Sequence, residues 1–345
     1  MNQESCPTCD YPLEGGVCLL CEEESQKRKE IDKYLTNSLK KRMVSDYALP
    51  ITVFEEPHFS YQRGLYSLRY GVDLIISCLI EEIKKHGGED QFFQWEASVR
   101  KAVIDKIQEK ESYKKFNSQA LPQIKFEVFD RLYIQPNHDC IFVSFDMVKA
   151  NFQALRHFDP DIFDNQNNWP EYLSQFSTSM YLMGSKRFRQ IIFGNLNPKR
   201  QQAYQKVLIS KVLSIVERFD LGEVCFTSPD EFVVKVNPTG LEEKLSLIKE
   251  TIDKETGLKI RVTQFKLKQL KPFSYFVKVQ DTDSVIDRLD IKCVPSVFFA
   301  QAFKRAYSLY QPEFPGIPFD IIYQDLAFYF EKRLAYFEKS LEFIN

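Results

Sequence analysis

Glycine is scarce in this chain, 12 residues of 345, and no run of it forms a phosphate loop of the P-loop or dinucleotide-binding kind. Nucleotide capture by such a loop is excluded. Histidine numbers only four, and His58 and His86 stand alone, each reading as a surface or core side chain. No apolar run approaches the ~20 residues of a membrane span; the nearest, Gly71–Ile80, is short and carries Asp73. The opening MNQESCPTC lacks the layout of a signal peptide, so the expectation is an intracellular protein, cytoplasmic or nuclear, with no membrane partner. An excess of one charge is missing as well. With 46 Lys+Arg against 48 Asp+Glu the net charge is −2, which excludes a uniformly basic nucleic-acid binder. Affinity for phosphate must then come from a local patch.

What is present is the make-up of a soluble globular protein, 44% hydrophobic and 27% charged, long enough for roughly two domains. Aromatics are abundant, with 30 Phe and 17 Tyr. Four of the eight cysteines make a pattern: Cys6-Pro-Thr-Cys9 and Cys18-Leu-Leu-Cys21. Two such knuckles can aim four thiolates at one tetrahedral Zn²⁺, and the spacing resembles a zinc ribbon over residues 1–24, with Gly15 and Gly16 at the reversal. A site with no open ligand position is structural. The bland alternative is a disulfide pair or chance spacing. The other cysteines, Cys78, Cys140, Cys225 and Cys293, are scattered through apolar segments as small hydrophobes.

Residues 25–135 are expected to be mainly helical. Glu22–Met43 is a charged helical run with acids first and bases last, and Tyr66–Lys85 and Gln91–Glu111 follow with helical spacing. LPQIKFEVFDRLYI then alternates as a strand or hairpin would. Residues 136–282 read as strand Ile141–Phe145, helix Met147–Phe158, an insertion over 159–198, and helix Lys199–Phe219. A hairpin follows, Glu223–Thr227 with Phe232–Val236, then helix Leu241–Glu255 and strand Leu258–Leu267, with Phe273–Val279 as an added edge. Without the insertion this is close to the split βαβ, ferredoxin-like order. Residues 283–345 are expected to be helical, their apolar stripe docking on the body or a partner. The expected class is α+β: a ferredoxin-like antiparallel core, helical flanking regions and a small zinc ribbon.

SFDMVKANF followed by SPDEFVVKV resembles the palm superfamily of GGDEF-type nucleotide cyclases and tRNA-His guanylyltransferases. The order acid, basic helix, acid pair is also similar to the motifs of reverse transcriptases and RNA-dependent polymerases. The resemblance covers about 130 residues. It implies that Asp146 and Asp230 bind Mg²⁺ or Mn²⁺, with Glu231 assisting. Two such ions clamp the attacking and leaving oxygens of phosphoryl transfer. The bland reading of these acids is a cap and a turn. Ser228-Pro229 departs from the Gly-Gly or Ser-Asp expected before the hairpin acids, which speaks against a cyclic-dinucleotide synthase.

Between Tyr181 and Val216 there is no Asp or Glu, and Lys186, Arg187, Arg189, Lys199 and Arg200 fall there. These five are candidates to hold a nucleoside triphosphate or nucleic acid; the alternative is a solvated helix face. The leading expectation is a palm-type nucleotidyltransferase or polymerase-like protein. Its rival is a non-catalytic zinc-ribbon subunit of a transcription or replication assembly, bound to partners through the ribbon or the C-terminal helices.

Overall fold

The computed structural model describes residues 18–47, 54, 72–271, 275–282, 285–293 and 342–343. They fall into two compact units, Met1–Arg100 with Ser177–Phe188, and Lys101–Phe176 with Arg189–Asn345. The helices are α1 (Leu19–Tyr34), α2 (Asn37–Tyr47), α3 (Val72–His86), α4 (Glu89–Glu109), α5 (Glu111–Ser118), α6 (Ala150–Phe158), α7 (Trp169–Ser174), α8 (Met180–Gly184), α9 (Lys186–Gly194), α10 (Pro198–Glu217) and α11 (Leu241–Thr256). The strands are β1 (Ile141–Met147), β2 (Gly222–Thr227), β3 (Glu231–Val236), β4 (Ile260–Lys271), β5 (Tyr275–Thr282), β6 (Val285–Lys292) and β7 (Glu342–Phe343). Among the described residues no helix is long and apolar enough to cross a membrane.

In the first unit the run expected as one helix over Glu22–Met43 is two. Leu35 turns extended (φ −105°, ψ 101°) with its side chain buried, and the Thr36 hydroxyl accepts from the Leu39 N–H to start α2. Gly87 and Gly88, at φ 82° and 135°, end α3. Leu39, Met43, Leu79, Ile83 and Phe92 are buried, and Tyr181 of α8 meets Phe92 edge-on at 6.2 Å. Inside this apolar packing sits an ion pair. Arg42 donates twice to Glu96, at 2.5 and 2.6 Å, and both side chains are buried.

The second unit is built on an antiparallel sheet of order β2-β3-β1-β4-β5-β6, with β7 also paired to β4. β1 is hydrogen-bonded on both sides, its register setting Asp146 opposite Glu231 of β3 and opposite Arg261 of β4. Alternation sends Val143, Phe145 and Met147 to one face, all buried, where Phe145 stacks on its register partner Phe232 at 4.9 Å. Phe142, Ser144 and Asp146 take the other face. Its apolar end, with Phe142, Val233, Phe265 and Leu267, is roofed by Leu132. Buried Asn137 holds that roof, donating to the Arg131 and Leu132 carbonyls at 2.8 and 2.9 Å.

Three expectations are corrected. LPQIKFEVFDRLYI is not a strand or hairpin: only Asp130 forms a bridge, to Phe226, because the segment spends its bonds on the edge of β2. There Arg131 N–H donates to the Cys225 carbonyl at 2.9 Å and Thr227 N–H to the Phe129 carbonyl at 3.0 Å, while the Thr227 hydroxyl accepts from Phe129 N–H and donates to the Glu127 carbonyl. The region from 283 does not begin helical. Val285–Lys292 is β6, its Leu289 and Ile291 alternating with charged residues, so β5 has a strand on each side and is no edge. Glu342–Phe343, in the expected C-terminal helix, is strand as well; the rest of residues 294–345 lies outside the described residues.

Two substitutions test this packing. Glu96→Ala leaves the Arg42 charge buried and unpaired, so urea unfolding should show a loss of about 3–5 kcal/mol. Gly222 opens β2 at φ 148°, and a Cβ there would run into the Lys235 backbone carbonyl. Gly222→Ala should therefore destabilise by roughly 2 kcal/mol or more in the same measurement, and an unchanged midpoint would contradict the register of β2 on β3.

Candidate functional site

The expected acids do converge at one end of the sheet. β1 runs through Met147, so Asp146 stands inside the strand rather than after it. Glu231 is the first residue of β3 rather than part of the turn, and being Asp146's register partner it shares Asp146's face. Facing cross-strand positions hold their Cβ atoms ~5 Å apart. Asp230 completes the turn from β2, its backbone carbonyl accepting from Met147 N–H at 2.8 Å.

The residues before the hairpin acids have a local task. The Ser228 hydroxyl accepts from the Glu231 N–H at 3.0 Å and donates to the Asp230 carboxylate at 3.0 Å. Ser228 thus closes the turn with its side chain where a glycine pair would use backbone freedom. Ser144, two residues before Asp146 on the same face, donates its hydroxyl to Glu231 Oε1 at 2.6 Å and fixes that carboxylate. Arg261 donates to Asp146 Oδ2 across β4. Neither Ser144 nor Arg261 figures among the expected site residues. Period-two alternation points to Ser144, whereas Arg261 needs the β1–β4 register, which no local pattern carries.

Burial pushes the Asp146 carboxyl above its ordinary range; Arg261 pulls it back, and Glu231 and Asp230 push it up again. Like charges on a partly buried edge are eased by a cation. Among the described residues no group of three or more His, Cys, Asp and Glu stands in a metal-holding arrangement. Mg²⁺ asks less of a protein, since one or two carboxylates suffice when substrate phosphate and water fill its other positions. Asp146 and Asp230 are the pair that could supply those oxygens.

The five basic candidates are divided between the units. Lys186 and Arg187 belong to the first, and Arg189, Lys199 and Arg200 to the second. Buried Asp46 occupies the start of α9, accepting from the Arg187 N–H and, at 2.7 Å, from the Ser185 hydroxyl. Lys186, Arg187 and Lys199 are exposed. Arg200 is engaged in the fold, donating to the Phe116 and Gln119 carbonyls and lying over the Phe116 ring at 5.2 Å. Of the four cysteines, Cys18 is buried at the N-cap of α1 and Cys21 lies in its first turn, so the second Cys-x-x-Cys runs straight into a helix. Cys6 and Cys9 lie outside the described residues.

A carboxyl whose folded pKa is raised costs stability when ionised, so the cost is present at neutral pH and fades as pH falls through that pKa. Asp146→Asn should therefore be no less stable than the parent at pH 7, because the exposed Arg261 partner loses at most about 1 kcal/mol. The difference should move in the parent's favour toward pH 4. Paired chemical denaturation at the two pH values checks this; a loss well above 1 kcal/mol at pH 7 would make the Asp146–Arg261 pair a net stabiliser instead. In comparison with known proteins, no family model matches this chain and no curated protein matches it.

Proposed function

We propose that the second unit is a palm-type, metal-dependent nucleotidyltransferase or polymerase-like domain acting on nucleoside triphosphates and nucleic acid. The observation that carries this reading is the convergence of Asp146, Glu231 and Asp230 on one end of an antiparallel sheet. The strand order β2-β3-β1-β4, with helices following β1 and β3, supports a ferredoxin-like palm core. Bound Mg²⁺ or Mn²⁺ would stabilise the charge that develops in phosphoryl transfer. Asp146 and Asp230 would hold it, and Ser144 would keep Glu231 aimed at the same edge. Arg189 and Lys199 remain this unit's candidates for phosphate contact, Lys186 and Arg187 belonging to the first unit, with Arg200 reassigned to holding α10 against α5. The zinc reading of Cys6, Cys9, Cys18 and Cys21 belongs to the same proposal, as a structural ribbon able to dock on nucleic acid or a protein partner.

One observation favours the rival reading, a non-catalytic subunit that keeps this shape as a scaffold. Arg261 pairs with Asp146, occupying one of the oxygens a metal would need. The two readings separate in a thermal melt. In the enzyme, Mn²⁺ with mixed nucleoside triphosphates at about a hundredfold over Kd should stabilise the fold by roughly 2–3 kcal/mol. Asp146→Asn should abolish that gain. No gain in the parent protein defeats the enzyme reading, and a gain kept by Asp146→Asn removes Asp146 from the site.

A further inference from the structure

Three charged side chains stand in one row across the sheet. Glu231 of β3, Asp146 of β1 and Arg261 of β4 are register partners on adjacent strands and so share a face. The acids of this edge are held by different means. Hydroxyls of Ser144 and Ser228 donate to Glu231 and Asp230, which leaves those carboxylates their charge. Among the described residues Asp146 is the one of the three paired with a cation, Arg261 donating to its Oδ2.

That pair is placed where it can open. The Arg261 side chain is 65% exposed, against 22% for Asp146. An ion pair in contact with water holds only weakly, so little opposes its exchange for another. Pairing of β4 with β5 runs from Lys266 to Leu270, and among the described residues Arg261 has a strand partner on its β1 side only. The stacked Phe145 and Phe232 lie on the opposite face of the sheet. The guanidinium can therefore swing outward without disturbing the core.

The exchange is unequal for different arrivals. A bare divalent cation at Asp146 must expel Arg261 or sit beside its positive charge, and gives the guanidinium nothing in return. A cation that brings a phosphate chain supplies the missing partner. Mg²⁺ and Mn²⁺ take carboxylate and phosphate oxygens together, which sets the phosphate beside Asp146 and within reach of a long side chain on the next strand. The planar fork of arginine matches phosphate in two parallel hydrogen bonds. We propose that Arg261 makes the carboxylate edge selective for a metal–polyphosphate complex over a free divalent cation, pairing with Asp146 until the complex arrives and with its phosphate afterwards. This role rests on the palm reading and assigns that site a specificity-determining residue.

Two binding measurements on the full-length protein test it. Mn²⁺ alone is followed by the EPR signal of the free ion, and the equimolar complex of Mn²⁺ with inorganic tripolyphosphate by equilibrium dialysis. Arg261→Gln should bind Mn²⁺ alone about fivefold more tightly than the parent, because a competitor is gone. The same variant should bind the complex about fivefold more weakly, because a phosphate partner is gone. Opposite signs are the signature, since a side chain needed only for the shape of the sheet would weaken both. Lys266→Gln removes a cation from the other face of β4 and should change neither value. Asp146→Asn should weaken both forms about tenfold, through loss of a charged ligand. Values in Arg261→Gln that stay put or move together overturn the role of Arg261, as does an equal effect from Lys266→Gln or full binding by Asp146→Asn. In the first two cases the parent's binding of the complex still supports the palm reading. No binding of either form by the parent or by Arg261→Gln defeats the palm reading and the role of Arg261 together.

Discussion

The hydrogen-bond register of β1 decides where every acid of the candidate site stands. Because β1 is paired on both sides, Asp146 meets Glu231 and Arg261 at once, and a slip of one residue on either side would turn it toward the apolar face. Stacked Phe145 and Phe232 oppose such a slip, each being the chain neighbour of one of the acids and packed on the other side of the sheet. The same alternation therefore builds the core and aims the carboxylates. Neither can change without the other.

Three carboxylates at one sheet end are electrostatically unfavourable, and the protein relieves that repulsion in two ways. Glu231 and Asp230 are held by hydroxyls, Ser144 and Ser228, which satisfy their oxygens without neutralising them. Asp146 is matched by a guanidinium that is itself largely exposed and so free to leave. An incoming cation would take over the role of Arg261 rather than fill a vacancy. This makes the enzyme and scaffold readings differ in what displaces Arg261, not in the shape of the sheet.

Much of the second unit was legible in the sequence because its elements are local. The helix over 198–217, the hairpin and the strand from 260 follow from periodicity and turn residues, and the expected bounds lie within a few positions of the observed ones. Asp146 and Asp230 could be paired because a strand end and a hairpin turn are themselves local signals. What escaped is long-range. Arg261 is 115 residues from Asp146, and Arg200 spends its guanidinium on carbonyls more than 80 residues away. The break at Leu35 was hidden for a related reason, since a helix-favouring run gives way there to burial of one leucine. The alternating stretch before Tyr133 has the pattern of a strand, but its partners are one bridge and the side chain of Thr227.

That stretch has a consequence for the protein in crowded solution. β2 would otherwise present a row of open N–H and C=O groups, the template on which a strand of another molecule adds. Phe129 and Arg131 take up those groups at Thr227 and Cys225, while the Glu127 carbonyl accepts from the Thr227 hydroxyl. They do so irregularly, without offering a full strand of their own for the next chain to copy. The molecule thus blunts its own sheet at the side nearest the hairpin, keeping growth into fibrils from starting beside the residues on which its chemistry would rest.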